Sequence, residues 1–224
     1  MPLTACFVRH GESQANVDRI FANRVARPVA LTDTGHDQAR VLADRLRERG
    51  LTHVYTSPLL RARQTAEALG TALGVPVEVT DALREYDAGA FEGLPYGGEH
   101  SWRWEAHVGI ELAWRNGDLD ARHPGGESAV DIAARFLPFM ASLAERHDTG
   151  DCLALVGHGG LFLTALPMLF DEVTADDACR FGLGHCEIVT ATHDAGRWTC
   201  HQWGERGLGD GLTRGRPPDR PRKR

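Results

Sequence analysis

Three features are missing from the sequence, and each absence excludes a class of protein. No stretch reaches the roughly 18 consecutive apolar residues of a membrane span, and the first seven residues lack the basic and then apolar pattern of a secretory signal. The five cysteines are an odd number without a CxxC pair, and His185-Cys186 and Cys200-His201 lack the usual spacing of zinc ligands. The sequence therefore predicts a cytoplasmic protein with reduced cysteines, no bound metal and no membrane partner.

The body of the chain also lacks an excess of positive charge. The sequence has 25 Lys and Arg residues against 31 Asp and Glu residues. Because six basic residues and one acidic residue follow position 213, residues 1–213 hold 19 basic and 30 acidic residues, a formal charge of −11. An acidic body argues against nucleic acid as a partner, since nucleic-acid-binding proteins need a broad cationic surface. Any anion must therefore be held by local groups.

The apolar pattern that is present alternates between strands and helices. Short apolar runs that end in charged residues or glycine are typical of buried parallel strands, whereas apolar residues repeating every three to four positions predict helices. The predicted strands are 5–9, 53–56, 77–79, 152–156, 187–192 and 198–203. The predicted helices are 31–50, 57–73, 128–146 and 159–170. The alternation predicts an α/β three-layer sandwich, with a mostly parallel sheet and helices on both faces.

One domain over residues 1–206 accounts for most of the chain. Within it, residues 86–126 have no clean period and are rich in glycine, aromatic residues and histidine. Two interpretations of this insert stay open: its tryptophans anchor a helical cap on the core, or the insert is a lid that sets substrate choice. Residues 207–224 are rich in Gly, Pro and Arg and are predicted to form a disordered basic tail.

Four separate segments place polar residues where ligands collect in a parallel sheet, at the carboxyl ends of the strands. Arg9 and His10 end the first predicted strand, and Arg61 lies one turn into the helix after the second. Glu85 follows the third strand and His158 follows the fourth. The sequence therefore predicts that two arginines, two histidines and a carboxylate meet at one edge of the sheet.

This combination of side chains suits a phosphoryl group. Guanidinium groups match tetrahedral phosphate oxygens bidentately, and N–H groups that follow a strand add further donors. A neutral imidazole can attack phosphorus, since its pKa of about 6.5 leaves it largely unprotonated at pH 7, and a carboxyl group can protonate the leaving alkoxide. Because the arginines and the second histidine can neutralise the transferred group, the sequence predicts that no cofactor is required.

Six sequence segments, in order, resemble the motifs of one family. They are RHGESQAN at 9–16, LTDTGHDQA at 31–39, TSPLLRARQTA at 56–66, LRE at 83–85 with GAFEG at 89–93, PGGES at 124–128 and VGHGG at 156–160. The first is similar to RHGE(S/T)xxN, the second to LTxxGxxQA and the third to SPLxRAxQTA. As an ordered set they resemble the histidine phosphatase superfamily, also called phosphoglycerate-mutase-like, and in particular its phosphatase branch.

The resemblance implies a role for each residue at the sheet edge. His10 would be the nucleophile that becomes phosphohistidine, and Arg9, Arg61 and His158 would bind and stabilise the phosphoryl group. Glu85 would donate a proton to the leaving group and later activate water.

Further substrate contacts are expected around these five residues. The resemblance implies that Asn16 and the N–H of Gly159 contact the phosphate. Arg84 is another candidate, although its position along the chain favours a solvated or salt-bridged role. The insert contributes Tyr96 and Trp102 as candidate substrate-binding residues.

Three functions stay open at this point. The first is a phosphomonoesterase that acts on a small phosphorylated metabolite. The second is a phosphoglycerate-type mutase, although the family's mutases tend to carry a longer insert between the positions of Glu85 and His158. The third is a module that binds phosphorylated ligands without turnover, although such relatives usually lose the nucleophile or the acid. The oligomeric state is also open, with a homodimer compatible with the fold.

Overall fold

The computed structural model describes residues 1–96 and 101–208, and in it seven strands form one sheet. In chain order they are β1 (Leu3–Arg9), β2 (His53–Thr56), β3 (Val77–Val79), β4 (Cys152–Gly157), β5 (Ile188–Asp194), β6 (Arg197–Trp203) and β7 (Arg206–Gly207). Their order across the sheet is β3-β2-β4-β1-β5-β6-β7. Strands β3, β2, β4 and β1 run parallel to one another. Beyond β1, each of β5, β6 and β7 runs antiparallel to the strand before it in the sheet.

Seven helices connect these strands or flank them. They are α1 (Gln14–Asp18), α2 (Asp33–Arg47), α3 (Leu60–Leu73), α4 (Trp102–Arg115), α5 (Ala129–Arg146), α6 (Gly159–Leu169) and α7 (Ala175–Phe181). Hydroxyl side chains fix several of their starts: Thr32 accepts from the N–H of Gly35 before α2, and Ser128 forms a capping box with Asp131 before α5. Two short 3₁₀ helices, Asp81–Leu83 and Gly89–Phe91, follow β3.

The helices cover both faces of the sheet because successive strand residues point to opposite sides. Cys6 and Val8 of β1 lie in a buried cluster with residues of α2 and α3. Ala5 and Phe7 lie in a larger cluster with residues of α5 and α6, where the Phe7 ring meets the Phe162 ring edge-on at 5.7 Å. Strands β1, β2 and β4 are thus largely buried on both faces, as their apolar sequences predict, whereas β3 at the edge of the sheet is exposed.

The predicted three-layer α/β sandwich is confirmed, and so are all six predicted strands and four predicted helices, with ends that differ by up to three residues. No pattern in the sequence predicts α1 or α7, whereas α4 lies within the insert at 86–126, for which a helical cap is one of the two interpretations. Gly207, assigned to the tail, is instead the last residue of β7. Residues 209–224 of the predicted tail and 97–100 of the insert lie outside the described residues. No helix in the described parts of the chain is long and apolar enough to cross a membrane.

Candidate functional site

His10 follows β1 directly, and its two ring nitrogens face different kinds of partner. Nδ1 lies 2.6 Å from the carbonyl oxygen of Gly11, which can only accept a hydrogen bond. Nε2 lies 3.0 Å from Nε of Arg61, which can only donate. The proton of the neutral imidazole is therefore on Nδ1, and the lone pair is on Nε2.

The surroundings of His10 also keep its imidazole uncharged. Only 3% of the residue is exposed. Burial lowers the pKa of His10 well below its ordinary value, and the charges of Arg61 and Arg9 lower it further. At neutral pH the ring is therefore buried and uncharged, with its lone pair directed at a guanidinium group.

The first turn of α3 positions Arg61. Besides its contact with His10, this guanidinium donates through NH1 to the carbonyl oxygen of Ala22 at 2.7 Å. Thr65, one turn further on, donates to the carbonyl oxygen of Arg61 at 2.8 Å and accepts from the N–H of Gly11 at 3.1 Å. The helix that carries Arg61 is thereby hydrogen-bonded to the loop that carries the nucleophile.

His158 follows β4 directly, and its ring lies beside that of His10. Its ring is fully buried and meets the His10 ring edge-on at 5.1 Å. Nε2 lies 2.8 Å from Oγ of Ser57, and this oxygen also accepts from the N–H of Leu59 at 3.2 Å. The Ser57 hydroxyl has a proton to donate to Nε2 of His158, and in that arrangement the ring proton of His158 is on Nδ1. Among the described residues, Nδ1 is buried without a hydrogen-bond partner.

Glu85 is held at the N-terminus of α6. Oε1 accepts from the N–H groups of Leu161 at 2.6 Å and Tyr86 at 3.1 Å, whereas Oε2 accepts from the N–H of Gly160 at 3.0 Å. Burial raises the pKa of Glu85, and the charge of Arg61 and these three N–H groups oppose that shift without cancelling it. The carboxyl group is thus rigidly placed but more easily protonated than an exposed one.

Arg9 completes the cluster predicted from the strand ends. It is largely buried, and burial lowers its pKa from the usual value while the charge of Glu85 raises it. A Cβ atom on Gly159 would lie 3.4 Å from Nε of Arg9, so the backbone at the start of α6 stands beside this guanidinium. The structure therefore brings Arg9, Gly159 and Glu85 to the same edge of the sheet as the two histidines.

Asn16 and Tyr96 are two further predicted substrate contacts. Oδ1 of Asn16 accepts from the backbone N–H and the hydroxyl of Ser13 at 3.0 and 2.8 Å, so the amide oxygen caps α1. Burial, and then the charge of Glu85, raises the pKa of Tyr96, which puts the Tyr96 hydroxyl within electrostatic range of the site. Their contacts with a substrate stay predictions.

Arg84 and Trp102 have contacts with residues outside this cluster. The guanidinium of Arg84 pairs with the carboxylate of Glu127 at 3.3 Å. Trp102 is 65% exposed, and its ring meets the Phe91 ring edge-on at 5.8 Å. The salt bridge agrees with the role that the position of Arg84 favours, and substrate binding by either residue stays a prediction.

Sequence reasoning did not identify three residues that contact the cluster: Ser57, Thr65 and His185. Ser57 and Thr65 fall within one of the motif segments, at the end of β2 and at one helical turn from Arg61. That spacing of four residues on a helix was the available signal for Thr65. Nothing in the sequence near His185 links it to β1. Within the described ranges, no group of three or more His, Cys, Asp or Glu residues could hold a metal ion.

The site therefore combines one buried and one part-buried guanidinium group, two uncharged imidazoles and a carboxyl group of raised pKa. A comparison with protein families matches residues 5–206 to the profile described as histidine phosphatase superfamily, branch 1. The chain belongs to the histidine phosphatase superfamily. The resemblance inferred from the six motifs is thereby confirmed.

Relatives within the histidine phosphatase superfamily carry both mutase and phosphatase names. A protein of Salmonella paratyphi B named "Probable phosphoglycerate mutase GpmB" is 31% identical over 212 residues, which are 93% of each chain. A solved mycobacterial glucosyl-3-phosphoglycerate phosphatase in complex with VO3 is 31% identical, with a TM-score of 0.75 over 90% of this chain and 98% of that one. The alpha-ribazole phosphatase of Shigella flexneri is 25% identical, with a TM-score of 0.72 over 92% of this chain and 98% of that one.

Proposed function

We propose that this protein is a metal-independent phosphomonoesterase that hydrolyses a small phosphorylated metabolite through a phosphohistidine on His10. The observation that carries the proposal is the state of His10, which is uncharged and has its lone pair on Nε2, facing Arg61 at 3.0 Å. The names of the two solved relatives, both phosphatases, support hydrolysis over transfer.

In the first step, Nε2 of His10 attacks phosphorus as the bond from phosphorus to the ester oxygen breaks. The electron pair of that bond goes to the leaving oxygen, which takes the proton of the Glu85 carboxyl group. Oε2 of Glu85 has only one N–H partner among the described residues, so it is the oxygen with room for this proton. The guanidinium groups of Arg9 and Arg61 and the Nδ1–H of His158 donate to the phosphoryl oxygens.

In the second step, the Glu85 carboxylate takes a proton from water as the water oxygen attacks phosphorus. The bond from phosphorus to Nε2 breaks, its electron pair returns to the ring, and inorganic phosphate leaves. His10 and the protonated carboxyl group are regenerated, so the cycle consumes one water for each ester. Residues 86–126 act as a lid over the leaving group in this proposal, and α4 supplies the lid's helix.

Replacing His10 with alanine tests the proposal. We expect His10→Ala to abolish phosphate release over a panel of phosphomonoesters, and to abolish the acid-labile phosphoenzyme that quenching traps in the unmodified protein. His201→Ala is the control, because His201 is exposed on β6 and bonds to Thr192. Full activity in folded His10→Ala would rule out the phosphohistidine route.

The similarity to the Salmonella protein named as a mutase favours phosphoryl return to a sugar acid as a second candidate. Both functions share the phosphohistidine, and they differ in the acceptor. Rapid interconversion of 2- and 3-phosphoglycerate that depends on a bisphosphate primer, with little phosphate release, would establish the mutase in place of the hydrolase. Tight binding of a phosphopeptide without any turnover would instead point to a binding module.

A further inference from the structure

The guanidinium group of Arg9 is anchored by a loop that lies far away in the sequence. This loop joins α7 to β5. NH1 of Arg9 donates to the carbonyl oxygen of Leu183 at 2.7 Å, and NH2 lies 3.1 Å from Nε2 of His185. Both terminal nitrogens therefore have partners in the loop, whereas Nε is buried without one among the described residues.

The contact between Arg9 and His185 fixes the role of each atom. A guanidinium group has no acceptor, so Nε2 of His185 must accept, and the ring proton must be on Nδ1. Burial, together with the charge of Arg9, lowers the pKa of His185 to about 4, which keeps the ring uncharged at neutral pH. The His185 ring also lies 6.0 Å from the His10 ring, so this acceptor is built into the wall of the site.

The loop that carries His185 is itself braced against β1. Cys186 has a φ of 54°, a left-handed conformation that is uncommon for a residue with a side chain. Its N–H donates to the carbonyl oxygen of Arg9 at 2.9 Å. Within the loop, the N–H of Gly184 donates to Oε2 of Glu187 at 2.6 Å, and the N–H of Glu187 donates back to the carbonyl oxygen of Gly184 at 3.1 Å.

We propose that His185 is a positioning residue that accepts a hydrogen bond from NH2 of Arg9 and thereby directs the Nε edge of this guanidinium at the phosphoryl group. The loop occupies the end of the guanidinium formed by NH1 and NH2, and the edge formed by Nε and the remaining N–H of NH2 stays available for a bidentate contact. Gly159 borders this edge and has no side chain to block it. The inference rests on the proposed function in one respect, namely that Arg9 binds the phosphoryl group.

Two substitutions at His185 separate the hydrogen bond from the bulk of the ring. His185→Phe keeps an aromatic ring but has no acceptor, whereas His185→Gln can place an amide oxygen near the position of Nε2. Because small displacements of a binding group cost up to about 100-fold in rate, we expect His185→Phe to lower kcat/KM for p-nitrophenyl phosphate by about 10- to 100-fold. We expect His185→Gln to recover most of this loss, and His201→Phe to behave as the unmodified protein.

A double-mutant cycle shows whether His185 acts through Arg9. Arg9→Lys removes the planar guanidinium group that His185 would orient. In this background, His185→Phe should therefore cause little further loss of kcat/KM. An equal loss in both backgrounds would show that His185 acts on its own, and would overturn the proposal. Unchanged activity in folded His185→Phe, or equal losses in the Phe and Gln variants, would also overturn it.

Binding of inorganic phosphate, measured by calorimetry, gives a readout that does not depend on turnover. We expect His185→Phe to weaken phosphate binding and His185→Gln to restore it, with melting temperatures close to that of the unmodified protein. Full activity in His10→Ala would contradict the phosphohistidine route. Phosphate affinity would still measure the coupling of His185 to Arg9 in that case, because binding does not require turnover. The two proposals therefore fail in distinguishable ways.

Discussion

Nε of Arg61 points at Nε2 of His10 from 3.0 Å, so the atom assigned to attack phosphorus is hydrogen-bonded to a cation in the free protein. The carbonyl oxygen of Gly11 holds the opposite ring nitrogen at 2.6 Å. Together these contacts select one tautomer before any substrate is present. The charge of Arg61 also opposes protonation of the ring, which links the protonation state of the nucleophile to the residue that would bind the phosphoryl group.

The first prediction concerns pH. In the proposed mechanism, the first step needs His10 uncharged and Glu85 protonated. The activity should therefore fall as pH drops through the lowered pKa of His10, and fall again as pH rises through the raised pKa of Glu85. The measurement is the pH profile of kcat/KM, which reports the groups of the free enzyme, for an alkyl phosphate, whose alkoxide leaving group needs a proton.

Glu85→Gln provides the control for this profile. Its amide has no carboxyl proton to lose, so the alkaline limb should disappear, and kcat/KM, which reports the step that releases the leaving group, should fall by about 10²- to 10⁴-fold. With p-nitrophenyl phosphate, whose leaving group needs less protonation, the loss should be smaller. An equal loss for both substrates would show that Glu85 is not the general acid.

The second prediction concerns Ser57. Ser57→Ala removes the hydroxyl that lies 2.8 Å from Nε2 of His158 and leaves a buried ring nitrogen without this partner. Because an unsatisfied buried group costs about 1–3 kcal/mol, we expect kcat/KM to fall by about tenfold or more. Ser142→Ala is the matched control, since this hydroxyl donates to the carbonyl oxygen of Phe139 on α5. Equal kcat/KM values for the two variants would contradict a role for Ser57 in orienting His158.

The third prediction concerns stability. Glu111 on α4 has a pKa raised to about 7, first by burial and then by the charge of Glu85. The folded protein therefore binds this proton more tightly than the unfolded chain, whose carboxyl group titrates near the ordinary value. Between these two values the free energy of unfolding must fall as pH rises. Glu111→Gln should therefore be more stable than the unmodified protein at pH 8, and close to it at pH 4.

The size of this effect is limited because 44% of the Glu111 side chain is exposed. After solvent screening we expect a gain of about 1 kcal/mol at pH 8, measured by urea unfolding at both pH values. Glu145→Gln, an exposed substitution on α5, is the control and should show no such dependence on pH. A Glu111→Gln variant that gains no stability at pH 8 would contradict the prediction.

The sequence predicts the parallel half of the fold and the five clustered residues for the same physical reason. A buried strand must be apolar throughout, so the charged residue or glycine that ends it also marks the edge where ligands bind. Arg9 at the end of β1 and His158 after β4 could be located in this way. The later elements have weaker sequence signals. Nothing in the sequences of β5 and β6 indicates whether they pair parallel or antiparallel, and α4 lies in a segment without a clear apolar period.

The partners of the clustered residues were harder to predict than the residues themselves. A hydrogen bond between residues far apart in sequence leaves no local pattern, so neither the contact of Arg9 with His185 nor that of His158 with Ser57 can be inferred from spacing. Thr65 is the intermediate case, because it lies one helical turn from Arg61, but its second contact, with Gly11, again depends on the tertiary structure.

The distance along the chain between Arg9 and its anchoring loop has a consequence for biosynthesis. Arg9 and His185 are 176 positions apart, so Arg9 leaves the ribosome long before the loop that anchors its guanidinium group. Contacts of such long range form slowly, because a large loop must close first. A nascent chain that ends before Leu183 would contain every residue of the five-residue cluster and still lack both partners that anchor Arg9. Competence to bind phosphate would thus arise in one late event, after the parallel half of the sheet has folded.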